Sequence, residues 1–373
     1  MSRMSISFRG QPTAAAETVS AGGRPARPAR NPLGALVTAA FVAVVLVAAP
    51  QVLSDFWVQT LTSAVIYAAV ALGLGLLFGR VGLISLGQIA MLALGGWTAL
   101  RLGQELAAPF PVTLLLTAGI AALAGVLIGL PALRLSGLHL ALVTLMGAAA
   151  VTVALANINF PNGGGGFFGY NPVNSGTVPL ARPALAGSDG AYLRYVIAAV
   201  ALLFLISYLH VRGRPGRAWA AIRQSEPAAT AAGINVTLYK LWAFALASAI
   251  TGVAGGLLAA SAGGLTAYQF PTQDSITLLA VVLIGGMYSF WGAIAAGFLV
   301  MIVPAILQQF GISSDVLLIV FGAGVMQSLL ATPDGIAGQL PKDLRRLSAR
   351  LGRGRPGPAG AGEAGRTGGE VPR

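Results

Sequence analysis

Residues 211–240, VRGRPGRAWAAIRQSEPAATAAGINVTLYK, form the one long polar interruption between apolar segments that carries concentrated positive charge. Arg212, Arg214, Arg217, Arg223 and Lys240 stand there against the single acid Glu226. In chains that cross a bilayer, such basic loops stay on the cytoplasmic side. The middle of the stretch predicts a short helix. Ser225 supplies a capping hydroxyl, and Pro227 suits a first turn, where a missing N–H is harmless. Ala228, Ala229, Ala231 and Ala232 favour helix, and Gly233 predicts a left-handed stop. A short helix with a small-residue face, set in a basic loop, is shaped to be pressed against another surface.

Outside this stretch the chain is strongly apolar. Its 373 residues are 56% hydrophobic and 9% charged, with a mean hydropathy of +0.79, which excludes a soluble globule. Apolar runs of roughly 18 residues or more recur, the length needed to cross a bilayer. The predicted fold class is therefore an all-α polytopic membrane protein. The 50 glycines fit that class, because transmembrane helices use glycine where their backbones approach closely. The absence of cysteine excludes disulfides, thiolate catalysis and cysteine metal sites. The two histidines, His139 and His210, each stand near the end of an apolar run and predict interfacial side chains. No metal site and no cofactor is expected.

Residues 1–32, rich in Ala, Pro, Gly and Arg without apolar period, predict a disordered basic tail. A transmembrane domain follows over 33–331. It divides into ten apolar segments, about ten transmembrane helices: 33–49, 57–78, 83–100, 111–131, 135–156, 192–210, 241–262, 276–290, 293–310 and 316–331. The first is read as an uncleaved span, since a long tail precedes it and Pro50 follows the small-residue site. The third, eighth and tenth are the weakest, and the eighth is short enough to be re-entrant or broken. The outer segment between the fifth and sixth spans is dense in Gly, Asn and Pro, a run of turns. Residues 332–373 predict a second disordered tail. An even number of spans places both termini in the cytoplasm, beside the 211–240 loop. Of the 23 Lys and Arg, all but Arg101, Arg182 and Arg194 then face inward, as the positive-inside bias requires. The net charge of +12 is thereby explained by topology, with no nucleic-acid partner.

No predicted span holds a carboxylate in its interior. A proton-coupled carrier needs an ionisable group at membrane depth. There is no GxxxxGK[ST] sequence, so the chain does not bind ATP through a P-loop. No reactive cluster suggests an intramembrane enzyme, and no catalytic activity is expected. A passive facilitator, or sodium coupling through unwound backbone carbonyls, stays open. The remaining option is energy delivered by a partner on the cytoplasmic face, and the basic loop with its small-faced helix favours it.

The run from Glu226 to Ile234, EPAATAAGI, resembles the coupling-helix (EAA-type) motif of ABC importer permeases. With AIRQSE ahead and INVTLYKLWAF behind, it is similar to the branched-chain (hydrophobic) amino acid permease family, LivM type. Three further segments carry the resemblance. Leu83 to Gln88 resembles the family's SLGQ segment, and Arg134 to Leu138 with Ala141 to Leu145 resembles RLxGLYFAxVTL. Val282 to Gly286 with Ser289 to Gly292 resembles VLGGxGSxxGP, with Ala293 in place of the usual proline. Pro227 also departs from a position that is commonly aliphatic, and residues 162–166 match the outer TGGxNGL loop only loosely. The resemblance implies a permease subunit of the cell membrane, working with two ABC ATPase subunits, a second related permease and an extracytoplasmic substrate-binding protein. Glu226, Ala228, Ala229, Gly233 and Ile234 would then meet the ATPase. The cargo implied is a branched-chain or other hydrophobic amino acid. Urea, short amides or another small solute is the alternative within the class.

Gly95-Gly96 in the third span and Gly285-Gly286 in the eighth occupy corresponding places if ten spans form an inverted five-plus-five repeat. Paired glycine-interrupted segments of that kind point to a transport pathway. Glycines that merely permit helix crossing are the alternative. Gln88 and Thr144, with Asn157 and Asn159, are the uncharged polar groups nearest membrane depth, and interhelical hydrogen bonding is their alternative role. The stripe Ser248, Gly252, Gly256 and Ala260 predicts close helix packing.

Overall fold

The computed structural model describes residues 51–311 apart from 107, 134, 136 and 158–179, with isolated positions between 316 and 326. The predicted first span, most of the tenth, the 162–166 run and both tails lie outside the described residues. Every described element is helical. Helix α1 spans Asp55–Gly75 and continues as a π-helical turn over Leu76–Val81. Then come α2 (Gln88–Leu106), α3 (Phe110–Ala132), α4 (Gly137–Asn157) and α5 (Asp189–Arg212). Two short helices follow, α6 (Arg214–Gln224) and α7 (Glu226–Ala231). The chain continues through α8 (Val236–Ala262), α9 (Asp274–Gly285) and α10 (Phe290–Gln309).

Among the described residues six helices are long and apolar enough to cross a membrane: α1 with its π turn, α3, α4, α5, α8 and α10. These match six of the predicted spans to within a few residues. The other two differ for physical reasons. The third predicted span begins five residues late, at Gln88, because residues 83–87 run without helical hydrogen bonding. Its C-terminal turns carry Arg101, Gln104 and Glu105, yet most of the helix is buried inside the protein. The eighth ends early, at Gly285. Helix α9 has 12 residues, about 18 Å at the helical rise, against a hydrocarbon core of about 30 Å. Gly286 ends it at φ 109° and ψ 92°, a conformation closed to residues with a Cβ. Three residues later the Ser289 hydroxyl accepts from the Trp291 N–H and starts α10.

The core is built around α8, which packs against α1, α2 and α3, while α1 also contacts α5 and α10. Lipid tails are as apolar as leucine side chains, so close van der Waals contact and hydrogen bonds must hold such helices together. Glycine makes the contact close. A Cβ on Gly95 would lie 2.2 Å from the Gly252 carbonyl oxygen, and one on Gly255 would lie 2.1 Å from that of Leu92. Helix α2 runs through Gly95-Gly96 without a break. The expectation that these glycines interrupt a span is therefore corrected: they allow α2 to lie on α8. The predicted stripe packs on α3, where a Cβ on Gly252 would sit 2.3 Å from the Cβ of Ala121.

Polar ties complete the core. The Tyr192 hydroxyl donates to the Leu257 carbonyl at 2.6 Å. Arg182 donates to the carbonyls of Ala260 and Ser261, both at 3.1 Å, and pairs with Asp189 at 2.6 Å. The last carbonyls of a helix lack internal partners and carry its negative dipole end, so a guanidinium there satisfies both needs.

Candidate functional site

The basic loop of the sequence is a helical arm. It begins where α5 ends at Arg212, and the extended Gly213 turns the chain into α6. Helix α6 is amphipathic: Ala218, Trp219 and Ile222 are buried, while Arg214, Arg217 and Arg223 lie outward. Trp219 is fully buried and its indole N–H donates to the Tyr239 carbonyl at 2.8 Å, fastening α6 to α8. Arg223 donates to the Gly79 carbonyl at 2.7 Å, and its guanidinium stacks on Tyr288 at 4.5 Å. Gly79 belongs to the π turn that ends α1. A Cβ there would lie 2.1 Å from the Met287 carbonyl oxygen. The arm, the π turn and the α9–α10 break therefore meet at one joint, where Arg80 also lies over the ring of Phe290 at 5.5 Å.

Helix α7 is built as the sequence predicts. The Ser225 hydroxyl accepts from the Ala228 N–H at 3.4 Å, and Pro227 stands in the first turn. Gly233 adopts φ 79°. Its N–H donates to Thr230 and that of Ile234 to Ala229, the closure expected of a glycine-terminated helix. Of the candidate contact residues, Glu226, Ala228 and Gly233 are exposed, Ala229 is buried and Ile234 is half-buried against the core. Only part of the candidate set faces outward.

Glu226 has a partner within the chain. Its carboxylate accepts from the Lys240 ammonium at 2.6 Å. Lys240 lies in α8 and is 4% exposed. The sequence places it in the basic loop, but helix formation carries it below the surface.

The described polar candidates of the membrane region each hold a hydrogen bond within the chain. The Thr251 hydroxyl donates to the Gln88 side-chain oxygen at 2.6 Å, joining α8 to the start of α2. Thr144 accepts from the Leu86 N–H at 2.9 Å and donates to Ala141 at 3.0 Å, which holds the non-helical 83–87 segment in place. Asn157 bonds its own helix at Val153, and Asn159 lies outside the described residues. Gly285 packs against Gly292 and Ala296 at the α9–α10 break.

A protein-family profile described as "Branched-chain amino acid transport system / permease component" matches residues 56–329. That range holds the arm, its joint and every membrane-length helix described, apart from the first residue of α1.

The chain belongs to this permease family.

Among curated relatives it is 30% identical over 337 residues to the high-affinity branched-chain amino acid transport system permease protein LivM of Salmonella typhimurium, covering 83% of this chain and 76% of that protein. The LivM of Escherichia coli is 30% identical over 330 residues, with the same coverage. No solved structure matches the chain significantly. The permease is a multi-pass membrane protein and a transport component.

The residues that fix the permease's arm are mostly ones that sequence reasoning passed over. Trp219 is the legible case, since a tryptophan in a basic polar stretch has no reason to be there unless it is buried. Arg223 and the Gly79 carbonyl are 144 residues apart, and nothing local to either announces the other. The buried Lys240 is signalled only by its place immediately before an apolar run.

Proposed function

We propose that this permease carries branched-chain or other hydrophobic amino acids as a membrane subunit of an ABC importer, and that α7 is the element its ATPase partners grip. The observation that carries the reading is the way α7 is mounted. Its outer surface offers Ala228, Thr230, Ala231, Ala232 and Gly233, small groups that let a partner's cleft close on the helix. Its base is held by Lys240 from α8, and the preceding α6 is held at Gly79 and Tyr239. A displacement of α7 is thus passed to α1, α8 and the α9–α10 break as a rigid-body movement, which suits alternating access.

ATP is hydrolysed on the partner subunits. A second related permease completes the pathway, and an extracytoplasmic binding protein selects the cargo, which accounts for how few polar side chains this chain offers at membrane depth. Both termini face the cytoplasm with the arm. The test replaces Ala228 or Gly233 with Trp in the full transporter. We expect ATP-dependent leucine uptake into proteoliposomes to fall to background, with the variant still present in the membrane at normal level. Uptake at the normal rate in both variants would overturn the assignment of α7.

A further inference from the structure

Between α6 and the end of α1 lies a cavity of about 590 Å³ whose polar lining is Arg80, Arg217, Arg223 and Gln224, with the backbones of Gly79 and Gly216 in its wall. No carboxylate among the described residues lines it. The ion pairs among the described residues are Arg182–Asp189 and Lys240–Glu226, so none of the three guanidiniums is neutralised by an acid among the described residues. Three like charges gathered around one space repel each other, and an anion between them would relieve that repulsion. Guanidinium is the side chain best matched to phosphate, through paired, charge-assisted hydrogen bonds.

Three features narrow the ligand. A zwitterionic amino acid would need an acid for its ammonium, and the cavity has none. The volume equals that of about twenty waters, far more than one inorganic phosphate fills. The cavity also sits at the ends of α1 and α5, two helices of membrane-crossing length, and a bilayer that they span would present its headgroups near such helix ends. Basic pockets between transmembrane helices at that level bind anionic headgroups. We propose that this cavity holds the phosphate of an anionic phospholipid, bridging Arg80 on α1 to Arg217 and Arg223 on α6. The bound lipid then braces the joint between arm and core. This inference stands apart from the role given to α7, because its readout is lipid binding rather than uptake.

The test is native mass spectrometry of the full-length chain in detergent, titrated with phosphatidylglycerol or phosphatidylcholine, each with and without inorganic phosphate. We expect one phosphatidylglycerol to bind in preference to phosphatidylcholine, with phosphate competing only weakly. Arg217→Gln, an exposed substitution, should weaken that binding about fivefold, the usual effect of one basic residue on an anionic lipid. Arg217→Lys should recover part of it. Arg212→Gln removes the same charge from a side chain that stacks on Tyr208 at 4.4 Å and does not line the cavity, and it should leave binding unchanged. Equal weakening in the Arg212 and Arg217 variants would reduce the effect to diffuse surface charge and overturn the proposal. So would an unaffected Arg217→Gln variant, or tight phosphate binding with no preference between the two lipids.

Discussion

Lys240 and Glu226 form an asymmetric pair, and the asymmetry makes a prediction. The lysine side chain is 5% exposed and the glutamate 51%. Removing Glu226 leaves an ammonium buried without its acceptor, whereas removing Lys240 leaves a carboxylate that water already reaches. Glu226→Ala should therefore destabilise by about 1–3 kcal/mol and Lys240→Met by at most about 1 kcal/mol, read as thermal unfolding of the purified protein. Gly233 poses a different problem. Its Cβ position is open, with nothing within 4 Å, but its φ of 79° is costly for an ordinary side chain. Gly233→Asn should keep most uptake, because asparagine tolerates left-handed backbone. Gly233→Val should cost about 1–2 kcal/mol locally and lose uptake through distortion of α7. At Trp219, truncation to Ala empties a fully buried site and should cost about 3–5 kcal/mol. Phe at that position should lose the bond to Tyr239 and leave part of the site unfilled, about 1–3 kcal/mol in all.

Helices α2, α8 and α1 are set by contacts that leave no room for a methyl group. Gly95→Ala would push its Cβ into the Gly252 carbonyl. Because that obstacle is backbone, relief requires α2 and α8 to separate, at about 1–3 kcal/mol. The measurement is the fraction of protein that elutes as a single species after detergent extraction, and it should fall. Gly79→Ala collides with Met287 at the joint between arm and core. There we expect a different result: normal extraction, since the packed centre around α8 is untouched, with uptake sharply reduced. The short α9 belongs to the same scale. The turn at Gly286 separates it from α10 and supplies Met287 and Tyr288 as contacts for the arm.

For the molecule as a whole, the predictions concern sidedness and dependence on partners, and the absence of cysteine makes the first directly measurable. Ala228→Cys on α7 should react with a membrane-impermeant maleimide only from the cytoplasmic side. Ala181→Cys, an exposed position before α5, should react only from the opposite side. Labelling of both from one side would contradict the proposed orientation. The purified chain reconstituted by itself should not concentrate leucine inside liposomes, with or without ATP. Concentrative uptake by that preparation would show an energy source within the chain.

Composition and local chemistry decided the class and most of the helices. A bilayer demands long apolar runs and satisfied backbones, and both are visible as length and hydropathy in single segments such as 57–78 and 241–262. Helix α7 was legible down to its caps, because Ser225, Pro227 and Gly233 act on backbone a few residues away. The family resemblance was carried by the same local runs. What the amino-acid order did not disclose was decided between segments remote in the chain. The continuity of α2 through Gly95-Gly96 depends on α8 lying against it, and the grip of Arg223 on Gly79 depends on α6 folding back to the end of α1. The burial of Lys240 depends on the arm covering it. Local rules govern backbone conformation within a turn or two, whereas close approach and charge burial are properties of surfaces that exist only once the helices have packed.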